Sequence, residues 1–388
     1  MSTPDLEPVD LERFWHDNDI ALRDPFGEHI PQAAMGIFMH YETVFDELGH
    51  RFDMRRLQRE PDFAHQVARA YNDRAERIVG RRLLDEHQYD PDRQTPRIHS
   101  IAEILGCPIT QDEWSEWVHP AADDPASLVR LLDRIERLDL YEAIFPPGWE
   151  AACRQRYERT GRRPVIGRHL RGPVTLAMSI YGVENLIYLI LDDPPLARRF
   201  RDVLLHTILE YFRITGEVAA TVVPPEPGAD SGDEPGGFSF ADDNCALLTR
   251  PMYESFGQPI LEAVFERFAP RPQHRRFQHS DSDMGHLLEP LAATGLNAVN
   301  FGPNVRFRDI RSAMPGAVVY GTLAPFTFMS NDRAAIMAEV QRDLDEARAT
   351  RGLVVATAGS INNGTRLTSL RAVMHTIQHH GRYRPLDA

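Results

Sequence analysis

The sequence predicts an α/β fold: a single (β/α)8 TIM barrel with an N-terminal helical extension. Three observations lead there. Short apolar runs alternate with amphipathic helical patterns, as parallel strands joined by crossover helices do. The length, 388 residues, fits one barrel with insertions. Polar residues stand where the apolar runs end, and in such a barrel the strand ends form one catalytic face. A doubly wound open sheet is the rival, but no GxGxxG follows a strand-like run. On this reading residues 1–30 are a polar lead-in and residues 31–388 form the barrel.

The elements follow in order. Pro31–Tyr41 (PQAAMGIFMHY) is an apolar run ending in polar groups, as a buried strand would be. Residues 60–84 carry a helical pattern, and 98–120 mix loop and short helix. Asp124-Pro125 is a cap followed by proline at the first helical position, with Leu128, Leu131, Leu132, Ile135 and Leu138 on one face. Val165–Leu170 is the next strand-like run, and Asp193-Pro194 opens a further helix. Phe238–Ala241, Arg276–His279, Ala298–Phe301, Val318–Tyr320 and Leu353–Thr357 complete seven strands, with an eighth expected near 83–90. Pro224–Gly237 (PPEPGADSGDEPGG) is too polar to bury and is expected to be a mobile loop, a candidate lid.

Composition removes whole classes of mechanism. The 43 basic residues are all arginine, so no lysine Schiff base, covalent pyridoxal phosphate or phosphate-loop lysine is available. No nucleotide cofactor is expected. The net charge of −14 argues against broad binding to nucleic acid or anionic membrane. Three isolated cysteines, Cys107, Cys153 and Cys245, make neither a disulfide framework nor a CxxC knuckle. The acidic N-terminus has no signal-peptide core, and the longest apolar stretch, near Leu186–Leu191, is too short to span a bilayer. A reduced, cytoplasmic protein is the expectation.

The densest chemical constellation is His279-Ser280-Asp281. Strand alternation puts His279 and Asp281 on one side, where they could hold a metal or a substrate. His40-Tyr41-Glu42 repeats the spacing, which nominates His40 as a further ligand and Tyr41 and Glu42 as proton-handling groups. Imidazole nitrogen with carboxylate oxygen suits a divalent iron, manganese or zinc ion. The alternative is that these residues only hydrogen-bond. Asp242 and Asp243 are adjacent carboxylates after a strand; mutual repulsion can hold one protonated as a catalytic acid, although helix capping or metal binding fits equally. Arg168 and Arg171 could clamp a substrate carboxylate, as guanidinium forks do. Asn300 and Asn362, at later strand ends, are nominated for substrate binding.

Several longer stretches resemble the uroporphyrinogen decarboxylase superfamily. They are ELGHRFDMRRL at 47–57, RGPVTLAMSIYGVENLIYLILDDP at 171–194, FADDNCALLTRPMYESFGQP at 240–259, HSDSDMGHLLEPLAATGLNAVNFGP at 279–303, YGTLAP at 320–325 and HTIQHHGRY at 375–383. The superfamily holds porphyrinogen decarboxylases and zinc methyltransferases that pass methyl groups from corrinoid proteins to thiols. The resemblance implies the single barrel and His279 as a metal ligand; related barrels often dimerise, so it also implies a homodimer. Departures narrow it. The methyltransferase branch has His-x-Cys where this chain has His279-Ser280-Asp281, and a second cysteine near Ala358–Ser360, which is absent. Asp281 would then serve as a harder ligand. The arginine-rich RQAGR signature of the decarboxylases is missing from AAMGIFMHYE, and their catalytic aspartate has no transferable counterpart in LDEHQY at 84–89.

The expected function is therefore an enzyme cleaving a bond, by decarboxylation first of all, in a carboxylate-bearing molecule smaller than a tetrapyrrole. The alternatives are methyl transfer from a corrinoid protein or a methylated small molecule, and a barrel that binds a ligand without chemistry.

Overall fold

The computed structural model describes residues 6–112, 116–223 and 236–383. The strands are β1 (Ala34–Met35), β2 (Ile109–Gln111), β3 (Glu116–Val118), β4 (His169–Arg171), β5 (Gly237–Ala241), β6 (Arg275–Ser280), β7 (Ala298–Phe301), β8 (Val318–Leu323) and β9 (Leu353–Thr357). Seven of them form one sheet in the order β1-β9-β8-β7-β6-β5-β4, and β2 and β3 make a separate antiparallel pair. The chain divides into two compact units, one of residues 1–88, 278–292 and 296–388, the other of residues 89–277 and 293–295. The boundary falls inside β6.

In the first unit the pairing is parallel and in close register: Ala34 lies opposite Val354, Tyr320 opposite Val354, and Ala298 opposite Val318. All residues of β7 and β9 are buried. Strands buried on both faces read as continuous apolar runs, which is why AVNF and LVVAT stood out. The expected N-terminal helical extension is the helix Leu11–Arg23, capped by the Asp10 carboxylate. In the second unit β4 and β5 pair in parallel, His169 opposite Ser239. Its core is aromatic: Phe212, Phe238 and Phe268 pack edge to face or stacked, and Phe240 meets Phe265. The caps expected at Asp124 and Asp193 are present, each with proline opening the helix.

Three strand expectations need correction. Residues 83–90 form turns rather than an eighth strand. The Asn72 side chain accepts from the N–H groups of Leu83 and Leu84 at 2.9 Å each, and donates to the Leu84 carbonyl at 3.0 Å. Those backbone groups are thereby unavailable to a ladder. Among the described residues the sheet therefore has seven strands rather than eight, in one order from β1 to β4. The first strand is two residues rather than Pro31–Tyr41, because Phe38 and His40 bond through their backbones to Ile361, beyond β9. The strand expected at Val165–Leu170 begins only at His169, so Arg168 precedes β4 and does not end it. Residues 224–235 of the proposed lid lie outside the described residues. No single helix among the described residues is long and apolar enough to cross a membrane.

Candidate active site

The first unit gathers polar groups at the ends of four consecutive sheet strands, and Asn300 on β7 is their hub. Its amide Nδ2 donates to the carbonyls of Tyr320 (2.6 Å) and Thr357 (3.1 Å). Two carbonyls facing Nδ2 fix which end of the amide is which. Oδ1 must therefore be the acceptor, and it takes the Gly359 N–H at 2.9 Å. His279 Nδ1 lies 2.7 Å from the same oxygen. That contact is favourable only if Nδ1 carries the proton, so in the neutral ring Nε2 is the nitrogen with the lone pair. A histidine tethered this way through one ring nitrogen has the arrangement that metal-ligating histidines use.

Asp281 follows β6 and is exposed. A ligand nitrogen of half-buried His279 and a carboxylate oxygen of Asp281 lie within 4.8 Å of each other. The donor set fits a divalent ion of borderline or hard character. Gly359 makes room for it. A Cβ there would stand 3.1 Å from Asp281 Oδ2 and 3.7 Å from His279 Cε1, and its φ of +80° suits only glycine well. Gly359→Ala should therefore displace the Asp281 carboxylate. We expect divalent-metal affinity to fall about tenfold or more, as when ligand support is disturbed elsewhere, measured by calorimetric titration.

Asn300 was expected to touch substrate. It is 4% exposed, and both ends of its amide bond to protein groups, so its work is positioning. Asn300→Ala would leave the Gly359 N–H and two carbonyls without their partner. The expected loss is about 2–4 kcal/mol in denaturant unfolding, together with weakened metal binding.

His40 was expected to deliver a ligand from a strand end. It instead caps the helix Tyr41–Leu48, its Nδ1 accepting from the Glu42 N–H at 3.3 Å. Glu42 sits in that helix's first turn, where its charge complements the helix dipole. Tyr41 is buried and donates to Gln88 Oε1 at 3.2 Å. Asn362 lies in the turn after Ile361, its carbonyl accepting from Thr365.

In the second unit, Asp242 is fully buried at the end of β5. Its carboxylate accepts from the N–H groups of Val174 (3.4 Å) and Thr175 (2.8 Å) and from the Thr175 hydroxyl (2.8 Å). It caps the helix Pro173–Tyr181, whose own N-cap, Gly172, offers no side chain. A Cβ at Gly172 would come within 2.1 Å of Asp242 Cβ, so the close approach needs glycine. Burial pushes the Asp242 carboxyl up to about 6, the bonds from Thr175 and Val174 oppose this, and the charge of Asp243 adds to it. Asp243 itself opens the short 3-10 helix Asp243–Leu247 and is half-buried. Cys245 is buried with its thiol donating to the Asp242 carbonyl, and Cys107 and Cys153 are buried too. Arg168 lies over the Phe268 ring at 5.3 Å, at the start of β4. Exposed Arg171, at the other end, donates to Ser179 Oγ at 3.3 Å.

The sequence from residue 79 to residue 380 matches the uroporphyrinogen decarboxylase (URO-D) family. The chain belongs to that family. Among characterised proteins, the methylated-thiol–coenzyme M methyltransferase of Methanosarcina mazei is 24% identical over 277 residues, covering 70% of this chain and 67% of that protein. Among solved structures, a methyltransferase from Methanosarcina mazei superposes with a TM-score of 0.55 at 16% identity, covering 90% of this chain and 94% of the other. The family anticipated from the motifs is thus the family found. Both named relatives of this URO-D protein transfer methyl groups, whereas decarboxylation was the first expectation.

Proposed function

We propose that this URO-D family protein is a metal-assisted methyltransferase acting on small molecules. His279 and Asp281 would hold the ion, with zinc, iron or manganese fitting the donors. The observation that carries the reading is that a ring nitrogen of His279 and a carboxylate oxygen of Asp281 lie within 4.8 Å of each other, with His279 Nδ1 tethered to Asn300 Oδ1. The methylated-thiol–coenzyme M methyltransferase relative supports the reaction class. Held there, a divalent ion would supply Lewis acidity that favours the thiolate form of an acceptor thiol. The protein's own part is to fix the His279 tautomer through Asn300, to keep the Asp281 carboxylate at the solvent side, and to leave space at Gly359. No cysteine joins the ligand pair, so the protein donors are harder than the His-x-Cys pattern implies.

The test is transfer of the methyl group from a methylated thiol, or from methylcobalamin, to an acceptor thiol by metal-reconstituted protein. Turnover that depends on the metal and disappears in His279→Ala supports the reading. Turnover unaffected by chelator contradicts it. Decarboxylation of a small carboxylate remains the second reading, favoured by exposed Arg171 at the end of β4. Release of CO2 from carboxylate substrates, lost in Arg171→Ala, would establish it instead.

A further inference from the structure

The helix Leu367–His380 carries His375 and His379 one turn apart, so both rings lie on one face. Their ring centroids are 4.3 Å apart with planes inclined at 47°. His375 Nδ1 lies 2.8 Å from the Pro8 carbonyl oxygen. A carbonyl can only accept, so Nδ1 carries the proton and Nε2 presents a lone pair. That is the same arrangement, backbone oxygen on one nitrogen and the other nitrogen open, that supports metal-bound histidine elsewhere. His379 is exposed, so an ion can reach the pair from solvent.

We propose that His375 and His379 form a second site, a surface chelate for a divalent transition-metal ion such as copper(II), nickel(II) or zinc(II). Two imidazoles and solvent complete such a coordination shell, and the preference rises towards copper(II). Arg382 is close enough to act on His379 by its charge and repels a cation, which disfavours ions bound by charge alone and leaves selectivity to nitrogen donors.

The site has a structural consequence. The N-terminal segment lies along this helix: Arg371 donates to the carbonyls of Glu7 and Val9, and the Asp10 N–H and carbonyl bond to the Gln378 side chain. An ion on His375 Nε2 makes its Nδ1–H a stronger donor to Pro8, so it would fasten that segment to the C-terminal helix.

The experiment titrates copper(II) into full-length His279→Ala protein, which silences the candidate active site, and records electron paramagnetic resonance. The expected result is one bound equivalent with hyperfine structure from two imidazole nitrogens. Adding His379→Ala should weaken that binding at least about tenfold, while adding His380→Ala should leave it unchanged. Circular dichroism confirms that the surface substitutions leave the fold intact. Unchanged affinity after His379→Ala, or a spectrum with a single nitrogen ligand, overturns the proposal.

Discussion

Asp281→Ala should abolish turnover and release the bound metal, and His279→Ala should do at least as much damage to both. The two residues supply an imidazole nitrogen and a carboxylate oxygen within 4.8 Å of each other. Removing either leaves one protein donor from the pair, which cannot hold an ion against water and buffer. Lewis-acid stabilisation is worth several kcal/mol, so losing about 4 kcal/mol would lower kcat by about 10³-fold. His279 is the stronger determinant because Asn300 has already fixed its tautomer, whereas Asp281 is exposed and less constrained. Elemental analysis of each purified variant, run beside the transfer assay, checks this. Metal content and activity should fall together. A variant that keeps its metal and loses activity would put Asp281 in proton transfer or substrate binding instead.

The second large effect concerns pH and Asp242. Burial pushes its folded carboxyl up to about 6 from an ordinary value of 3.8. The folded protein therefore holds the proton more tightly than the unfolded chain does. For a raised pKa, the stabilising contribution is complete below about pH 4 and is lost as pH rises through 6. A difference of about two units corresponds to about 3 kcal/mol between pH 4 and pH 7. Asp242→Asn retains an oxygen to accept from the Thr175 N–H and hydroxyl, yet cannot ionise. Denaturant unfolding across pH 4 to 7 should accordingly show a shallower decline in stability for Asp242→Asn than for the natural protein. Equal slopes would mean that Asp242 stays charged and that its bonds to the helix Pro173–Tyr181 outweigh its burial.

The legible part of the fold was its local patterning. LVVAT and AVNF announced buried parallel strands because burial on both faces suppresses alternation, and Asp-Pro pairs marked helix starts because capping chemistry is local. The missing eighth strand was not legible. It depends on Asn72, in a helix, reaching the backbone of Leu83 and Leu84, and no propensity reports that. Within the candidate site, HSDSD could be read because both donors lie in one short stretch. Asn300 was noticed as a strand-end polar group, but its partners come from β6, β8 and the turn after β9, so its positioning role is a tertiary property. Gly359 was missed altogether. The signal in reach was a glycine two residues beyond an apolar strand, and only the nearness of Asp281 gives it meaning. His40-x-Glu42 could not be resolved from spacing because a helix cap and a metal-ligand pair share it, and the structure shows the cap.

The central claim is that His279 and Asp281 make this protein metal-dependent. The most direct measurement is the metal stoichiometry and methyl-transfer activity of one preparation before chelation, after chelation, and after zinc is restored. The His375→Ala/His379→Ala protein is the material of choice, so that surface binding does not enter the count. The account predicts one equivalent of metal, loss of activity on its removal and recovery on its return. Protein that takes up no metal and keeps full activity in strong chelator would contradict it.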